Sequence, residues 1–224
     1  MPEIAGFYCE IDNPDASGVP LLLLHGSGQD ENAWSGIAQD IALDAPLIRV
    51  RGNIVWEGKY AFFRRKPDRG LDQADLARSV GELTFLVEQL TGMFGARKPV
   101  LAGYSNGAIV CAALARDAGH LTRGAILMRA MSPEPAVPFP SMAGYPVLIL
   151  SGATDNRRAP QDGETLARQF REAGADVTHH LLPCGHGWDE NGRDVATSRQ
   201  WLRDIMSIPS PSLTTGTATN TMPS

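Results

Sequence analysis

The sequence predicts an α/β protein in which helices cover both faces of a mostly parallel sheet, and three observations support this fold class. Short runs rich in Val, Leu and Ile alternate with longer segments of helical period along the 224 residues. The runs are almost continuously apolar, as expected for parallel strands buried on both faces. Only about 18 residues, rich in proline, span positions 129–146 between two of these runs, so no helical cap domain is expected there.

Six strands are predicted from these runs, and a seventh is predicted near the N-terminus. They lie at about 20–24, 47–50, 99–103, 124–129, 147–151 and 177–182, with the additional strand at 5–11. We expect residues 1–206 to form one domain, because a hydrophobic content of 43% is enough for a sizeable core.

The clearest helix pattern lies between Asp72 and Gly95. Apolar residues recur there at intervals of four and three and form one stripe, at Leu76, Val80, Leu83, Val87, Leu90 and Phe94. Asp72 is expected to cap the start of this helix, and Gly95 to end it. Similar patterns predict helices at 106–117, 161–173 and 193–206.

The composition changes at the C-terminus. From Ser207 onward the chain is rich in Ser, Thr and Pro and has hardly any apolar residue. Such a segment cannot offset the entropy cost of becoming ordered, so we predict a disordered tail over 207–224.

Charge and cysteine content narrow the class of partner. The formal net charge of -5 includes no Lys- or Arg-rich block, which argues against nucleic acid. No apolar run approaches the roughly 18 residues of a membrane span, and the N-terminus opens with an acidic rather than a basic residue, so neither a membrane partner nor a signal peptide is expected. Cys9, Cys111 and Cys184 are widely separated, which predicts no disulfide framework, no metal site and a reducing, cytoplasmic location. The oligomeric state is open, with a homodimer as one expectation.

Residues 103–107 read Gly-Tyr-Ser-Asn-Gly and match the G-x-S-x-G motif. In this motif a serine lies on a strained turn between a strand and a helix, and the glycines prevent Cβ atoms from colliding with nearby backbone. Three fixed positions also arise by chance, so the context decides. Here an apolar run precedes the motif and a small-residue helix follows it, which makes Ser105 the predicted nucleophile.

A serine nucleophile needs a general base and an acid that orients the base. In α/β proteins with this motif the acid precedes the histidine along the chain. Asp155 follows the predicted strand at 147–151, and His186 follows the one at 177–182. Both therefore lie at the carboxyl edge of the sheet, where ligands bind in such folds. Asp155 is the predicted acid and His186 the predicted base.

The other acids and histidines have structural explanations. Asp162 is expected at a helix start, where capping explains a carboxylate, and Asp189 lies in the same loop as the predicted base. His179 and His180 lie in the last predicted strand, one pointing inward and one outward. His120 lies at a helix end. We expect structural or surface roles for all three histidines.

The turn that follows the strand at 20–24 is rich in glycine, and a backbone N–H there can donate to a developing oxyanion. We expect the amides of Ser27 and Asn106 to form this oxyanion hole. Gly28 is the alternative to Ser27. His25 in the same turn is expected to be a buried structural residue.

These pieces together resemble the phospholipase/carboxylesterase branch of the α/β-hydrolases, which also holds acyl-protein thioesterases and is related to dienelactone hydrolases. The resemblance rests on residues 24–31 (LHGSGQDE), 51–53 (RGN), 62–65 (FFRR), 103–107 (GYSNG), 152–155 (GATD) and 185–186 (GH). It implies an α/β-hydrolase fold without a cap domain, a triad of Ser105, Asp155 and His186, and no cofactor.

Residues 53–70 are predicted to be an irregular flap beside the site. The predicted substrate-binding residues are Trp56, Phe62, Phe63, Arg64 and Trp188. Arg64 and Arg65 either attract an acidic substrate or hold the loop by ion pairs, and Trp188 either lines the pocket or packs beneath it. The sequence leaves both choices open.

The missing cap and the short flap favour small or aromatic carboxylic esters, hydrolysed through an acyl-enzyme on Ser105. A thioesterase or a dienelactone-type hydrolase with the same three residues is the alternative within this class. A receptor that binds a small molecule without turnover is the alternative outside it.

Overall fold

The structure, a computed structural model, describes residues 3–68 and 70–207. The predicted tail at 207–224 therefore lies outside the described residues, except for Ser207, the last residue of the final helix. The domain boundary at residue 206 stays a prediction.

Ten strands are found in the described residues. Eight of them form one sheet in the order β1-β2-β4-β3-β7-β8-β9-β10, while β5 and β6 form a separate hairpin. The strands are β1 (Glu3–Ile4), β2 (Phe7–Asp12), β3 (Leu21–Leu24), β4 (Leu47–Val50), β5 (Ile54–Trp56), β6 (Lys59–Ala61), β7 (Val100–Tyr104), β8 (Gly124–Met128), β9 (Pro146–Gly152) and β10 (Asp176–Leu182).

The pairs from β4 through β3, β7, β8 and β9 to β10 are all parallel, whereas the pairs β1–β2 and β2–β4 are antiparallel. The prediction of a mostly parallel sheet is confirmed. The six predicted strands are all found, with ends shifted by at most one residue. The additional strand predicted at 5–11 is instead two strands, because Ala5 and Gly6 have φ values of 51° and 80° and reverse the chain between β1 and β2.

The described residues contain five α-helices and two short 3₁₀ helices. They are α1 (Ile37–Ile41), α2 (Gln73–Met93), α3 (Asn106–Ala118), α4 (Asp162–Glu172) and α5 (Arg193–Ser207), with 3₁₀ turns at Glu31–Trp34 and Gly119–Leu121. The four predicted helices are confirmed, whereas α1 is too short to show a helical period. Asp72 caps α2 by accepting the Asp75 amide at 3.1 Å, and Gly95 follows its end with a φ of 64°. None of the described helices is long and apolar enough to cross a membrane.

The alternation of side chains along β3 divides the interior into two cores. Leu22 and Leu24 pack on the face covered by α2, α3 and α4, whereas Leu21 and Leu23 pack on the face covered by α1 and α5. All four leucines are buried. The continuously apolar strands are therefore explained by burial on both faces of the sheet.

The prediction of an irregular segment over 53–70 is wrong for its first half. β5 and β6 pair as an antiparallel hairpin, closed by a two-residue turn at Glu57 and Gly58. The φ values at this turn are 50° and 85°, as two-residue hairpin turns require. The glycine between two short β-forming runs was the signal for this hairpin.

The connection from β8 to β9, residues 129–145, contains neither helix nor strand. This agrees with the expectation that no helical cap is inserted at this position. The carboxyl edge of the sheet is consequently formed by loops alone on this side.

Candidate active site

Ser105 lies on the turn between β7 and α3, at the carboxyl edge of the sheet. Its φ of 53° lies in the left-handed region, which is strained for a residue with a Cβ atom. Two hydrogen bonds hold the strained turn: the Ser105 amide donates to the Met128 carbonyl at 2.9 Å, and its own carbonyl accepts the Ile109 amide at 3.1 Å. The turn therefore fixes the direction of the serine side chain.

The two glycines of the motif are required by close packing of the backbone. A Cβ on Gly107 would collide with the carbonyl oxygen of Leu24, and a Cβ on Gly103 would lie 2.6 Å from the amide nitrogen of Ala108. Neither position has room for a side chain. This is the steric role that the motif predicts.

Ser105, His186 and Asp155 form one chain of hydrogen bonds. The Ser105 Oγ lies 2.9 Å from His186 Nε2, and His186 Nδ1 lies 2.8 and 3.0 Å from the two carboxylate oxygens of Asp155. The Asp155 side chain is 3% exposed and that of His186 is 11% exposed. The amide of Arg157 also donates to Asp155, at 2.8 Å. The structure thus brings the three predicted residues together.

The alternative acids have other partners. Asp162 begins α4, and its carboxylate accepts the Ala159 amide at 2.9 Å. Asp189 accepts the amides of Asn191 and Arg193, each at 3.1 Å. Both carboxylates therefore fix local backbone rather than orient the imidazole.

The remaining candidate histidines lie away from Ser105. His179 on β10 lies 3.0 Å from the Ser151 hydroxyl and 3.2 Å from the Glu164 carboxylate. His180, the next residue on β10, and His120 are exposed. These positions agree with the expected structural and surface roles.

The glycine-rich turn after β3 lies against the serine. A Cβ on Gly26 would be 3.4 Å from the Cβ of Ser105. The amide of Gly28 donates to the Tyr60 carbonyl at 3.0 Å, whereas the amides of Ser27 and Asn106 have no acceptor among the described residues. The structure therefore favours Ser27 over Gly28 as a donor to an oxyanion.

His25 fixes the conformation of this turn from within the protein. Its ring is fully buried, with Nδ1 2.7 Å from the Gly26 carbonyl and Nε2 2.9 Å from the Gly52 amide. Because the amide can only donate, Nε2 must be the unprotonated nitrogen. Burial also lowers the pKa of His25, which favours this neutral ring.

Known proteins resemble this chain in sequence and in fold. The protein named "Putative hydrolase MhqD" from Bacillus subtilis (strain 168) is 32% identical over 188 residues, which cover 83% of this chain and 93% of that protein. The chain belongs to the α/β-hydrolases. The structure of a Bacillus cereus carboxylesterase matches with a TM-score of 0.82 at 28% identity, covering 89% of this chain and 94% of that one. A carboxylesterase from Mesorhizobium loti matches with a TM-score of 0.83 at 28% identity, covering 91% and 97%. No protein-family model matches the chain.

These similarities confirm the predicted α/β-hydrolase fold and the hydrolase class.

In this α/β-hydrolase two arginines near the candidate triad were not predicted from the sequence. The first is Arg129, directly after β8, whose side chain is completely buried and pairs with Asp194 at 2.8 Å. Its guanidinium also donates to the carbonyls of Gly185 and Gly187, at 3.2 and 2.9 Å. Arg129 thus holds the loop that carries His186.

The second unpredicted residue is Arg158, which contacts the serine itself. Its Nη2 donates to the Ser105 Oγ at 3.1 Å, and its Nε donates to the Arg129 carbonyl at 2.7 Å. The available signal was position alone, since each arginine closely follows an apolar strand at the carboxyl edge of the sheet.

Two of the predicted substrate-binding residues are corrected to a packing role. Phe62 and Phe63 are both 0% exposed, so neither ring has a surface open to a substrate. The Asn106 side chain holds their backbone by accepting the Phe62 amide at 2.9 Å and donating to the Phe63 carbonyl at 3.1 Å.

The other three predicted pocket residues lie at the surface. Arg64 is exposed, and both its amide and its guanidinium contact Asp75, which is the ion-pair alternative. Trp56 is half-buried on the β5–β6 hairpin. Trp188 is half-buried too. It stacks on Tyr104 at 5.1 Å between ring centroids and packs against the core on the face of the sheet that α1 and α5 cover. Substrate contact by Trp56 and Trp188 stays a proposal.

No group of three or more His, Cys, Asp or Glu side chains in the described part of the chain could hold a metal ion. Cys9 and Cys111 are buried, whereas Cys184 is half-buried, with its sulfur 3.1 Å from Arg129 Nη2. Cys184 therefore contacts a charged group, unlike the two buried cysteines.

The surroundings of His186 predict the pH dependence of hydrolysis. Burial lowers the pKa of His186 below its ordinary 6.5, and the charges of Arg158 and Arg157 lower it as well, against the opposing effect of Asp155. A general base must be neutral, so we expect kcat/KM to rise with pH through a midpoint below 6.5. In Arg158→Gln one cation is lost, so the midpoint is expected to move to higher pH.

Profiles of kcat/KM against pH with a neutral ester measure both midpoints. A midpoint at or above 6.5 in the unmodified protein, or a downward move in Arg158→Gln, would contradict this expectation.

Proposed function

We propose that this α/β-hydrolase is a serine carboxylesterase that hydrolyses carboxylic esters through an acyl-enzyme on Ser105. The single observation that supports it most strongly is the unbroken contact from the Ser105 Oγ through His186 to Asp155, at 2.9 and 2.8 Å. This is the geometry that an activated hydroxyl requires. Carboxylesterases among the similar structures support the same reaction class.

In the first step the Ser105 Oγ bonds to the ester carbonyl carbon while His186 Nε2 accepts the hydroxyl proton. The negative charge that develops on the carbonyl oxygen is stabilised by the amides of Ser27 and Asn106. His186 then gives the proton to the leaving alkoxide, the C–O bond to the alcohol breaks, and the acyl group remains on Ser105.

In the second step water attacks the acyl carbon and gives its proton to His186. The bond to the Ser105 Oγ then breaks, the oxygen recovers the proton from His186, and the carboxylic acid leaves. Asp155 accepts the hydrogen bond of the Nδ1–H throughout and itself stays ionised. It therefore keeps the lone pair of Nε2 directed at the serine and stabilises the imidazolium cation as it forms.

The form of the site supports small or aromatic esters as substrates. The connection over 129–145 has no helical layer that could cover a long acyl chain. Trp56 on the β5–β6 hairpin and Trp188, two residues after His186, offer half-buried aromatic surface. A cytoplasmic location and a homodimer remain predictions from the sequence alone.

A covalent probe tests the nucleophile directly. We expect a fluorophosphonate to label the protein once, on the peptide that contains Ser105, as measured by mass spectrometry after proteolysis. The rate of labelling should rise with pH as His186 loses its proton, and labelling should disappear in His186→Ala. Labelling on a different serine, or tight binding of an ester without covalent modification or turnover, would reject the proposal in favour of a receptor.

A matched panel of substrates then distinguishes an ester hydrolase from a thioesterase or a dienelactone-type hydrolase. Oxygen esters, thioesters and lactones of equal acyl length are compared by kcat/KM. We expect the oxygen esters to be preferred. A preference for thioesters or lactones of at least tenfold would instead indicate a thioesterase or a dienelactone-type hydrolase.

A further inference from the structure

A guanidinium is built into the candidate active site, next to the nucleophile. Arg158 is held by its Nε, which donates to the Arg129 carbonyl at 2.7 Å, and by Nη1, which donates to the Arg157 carbonyl at 3.1 Å. Nη2 donates to the Ser105 Oγ at 3.1 Å. The orientation of this side chain is therefore fixed by three acceptors, none of which is a carboxylate.

The charge of Arg158 has no close counter-charge within the described residues. No carboxylate oxygen there lies within 4.0 Å of its guanidinium nitrogens. The nearby Asp155 carboxylate accepts from His186, and that of Asp162 accepts the Ala159 amide. A half-buried cation without a close ion-pair partner is costly, so it is maintained only where something compensates for it.

Arg65 is a second cation near Arg158, and its charge increases the free-energy cost of keeping Arg158 protonated. Arg65 is half-buried, and its Nη2 lies 3.7 Å from the Met131 sulfur. Burial lowers the pKa of Arg158 to about 10, and the charge of Arg65 contributes to this shift. Arg158 nevertheless stays protonated at neutral pH. Arg158 and Arg65 are thus like charges close enough to interact, and an anion bound at Arg158 would reduce the repulsion between them.

The donor geometry selects the kind of anion. A guanidinium carries five N–H groups, and three of those of Arg158 have acceptors. One N–H on Nη1 and one on Nη2 consequently have no acceptor among the residues that the structure describes. Two N–H groups on different nitrogens of one planar guanidinium are the kind of donor pair that binds both oxygens of a carboxylate.

We propose that Arg158, supported by the charge of Arg65, forms a carboxylate-binding subsite beside Ser105, so that esters with a carboxylate on the acyl part are the preferred substrates. This inference rests on the proposed esterase function. The attacked carbon would lie about 3 Å from the Ser105 Oγ, and the carboxylate about 3 Å from a guanidinium that itself contacts that oxygen. A spacer of two or three carbon atoms between the two groups fits this arrangement.

The test compares two esters that differ only in charge, monomethyl succinate and dimethyl succinate, with methanol release followed by NMR. We expect kcat/KM per ester group to be at least about tenfold higher for the monoester, the factor that charge-assisted hydrogen bonds provide. Arg158→Met should reduce this ratio about tenfold or more. Arg158→Lys should keep part of it, because an ammonium retains the charge but not the planar donor pair.

Two further variants distinguish binding at this subsite from a non-specific effect of the protein's positive charges on an anionic substrate. Arg65→Met is expected to reduce the ratio by a smaller factor, because Arg65 acts through its charge. Arg168→Met removes an arginine that is exposed on α4 and should leave the ratio unchanged. An equal loss in Arg158→Met and Arg168→Met would overturn the proposal.

The outcomes also separate this inference from the esterase function. If dimethyl succinate is hydrolysed but the monoester is not preferred, the subsite proposal fails and the esterase proposal stands. Calorimetric titration with succinate gives a readout that does not depend on turnover. We expect succinate to bind the unmodified protein at least tenfold more tightly than Arg158→Met, and equal affinity would overturn the subsite even in a protein that turns over neither ester.

Discussion

Replacing Ser105 by alanine is expected to lower kcat for a neutral ester by about 10⁶, the loss seen when a serine hydrolase is deprived of its nucleophile. The reason is geometric. Ser105 provides the hydroxyl to which His186 Nε2 is hydrogen-bonded, at 2.9 Å, and the described residues offer no other hydroxyl to this imidazole. The remaining rate would come from binding and from the Ser27 and Asn106 amides. Steady-state hydrolysis of a 4-nitrophenyl ester measures the change.

A matched control distinguishes loss of the nucleophile from loss of structure. Ser141 is an exposed serine in the connection between β8 and β9, so Ser141→Ala removes the same atom away from the triad. We expect this control to retain native activity and both variants to unfold near the native midpoint temperature. Native turnover in Ser105→Ala would refute the assignment of the nucleophile.

The convergence of Ser105, Asp155 and His186 could be predicted because each residue follows an apolar run. In a parallel sheet all such runs end at one edge, so residues far apart along the chain meet there. The strands themselves were recognisable because burial on both faces makes them continuously apolar. The 21-residue helix α2 was equally clear, since its stripe repeats over several turns.

The elements that were missed are short or depend on distant contacts. The five residues of α1 carry no detectable period, and its position depends on packing against α5. From the sequence alone, Phe62 and Phe63 are aromatic residues of the predicted flap over 53–70 and therefore candidates for substrate contact. Their burial depends on the side chain of Asn106, more than 40 residues away, which fixes their backbone.

The roles of Arg129 and Arg158 also depend on contacts that are distant in sequence. Apart from their position after an apolar run, nothing near Arg129 or Arg158 in sequence distinguishes them from the other arginines of the chain. Arg158 is 53 residues from Ser105, and Arg129 is 65 residues from Asp194. Charged side chains carry no periodic signal, so their partners become known only from the folded arrangement.

The largest effect on stability is expected at the buried pair of Arg129 and Asp194. Their side chains are 0% and 1% exposed, and the guanidinium donates to both carboxylate oxygens at 2.8 Å. Arg129→Met would leave the Asp194 charge buried, and the Asp189 amide, at 2.8 Å, would be its one remaining hydrogen-bond donor among the described residues. Breaking a buried pair from one side costs about 3–5 kcal/mol, so the free energy of unfolding in urea should fall by that amount.

An exposed pair on the same protein provides the control. Arg168 and Glu172 are neighbours on α4 and are more than half exposed, so Arg168→Met should change the free energy of unfolding by only about 0.5 kcal/mol. The double variant Arg129→Met/Asp194→Leu tests the cause, because it removes both charges at once. It should be more stable than Arg129→Met alone, since no uncompensated charge is left inside. If the double variant is the less stable of the two, the cost arises from lost packing and lost bonds to the His186 loop, and the explanation by an unpaired charge is wrong.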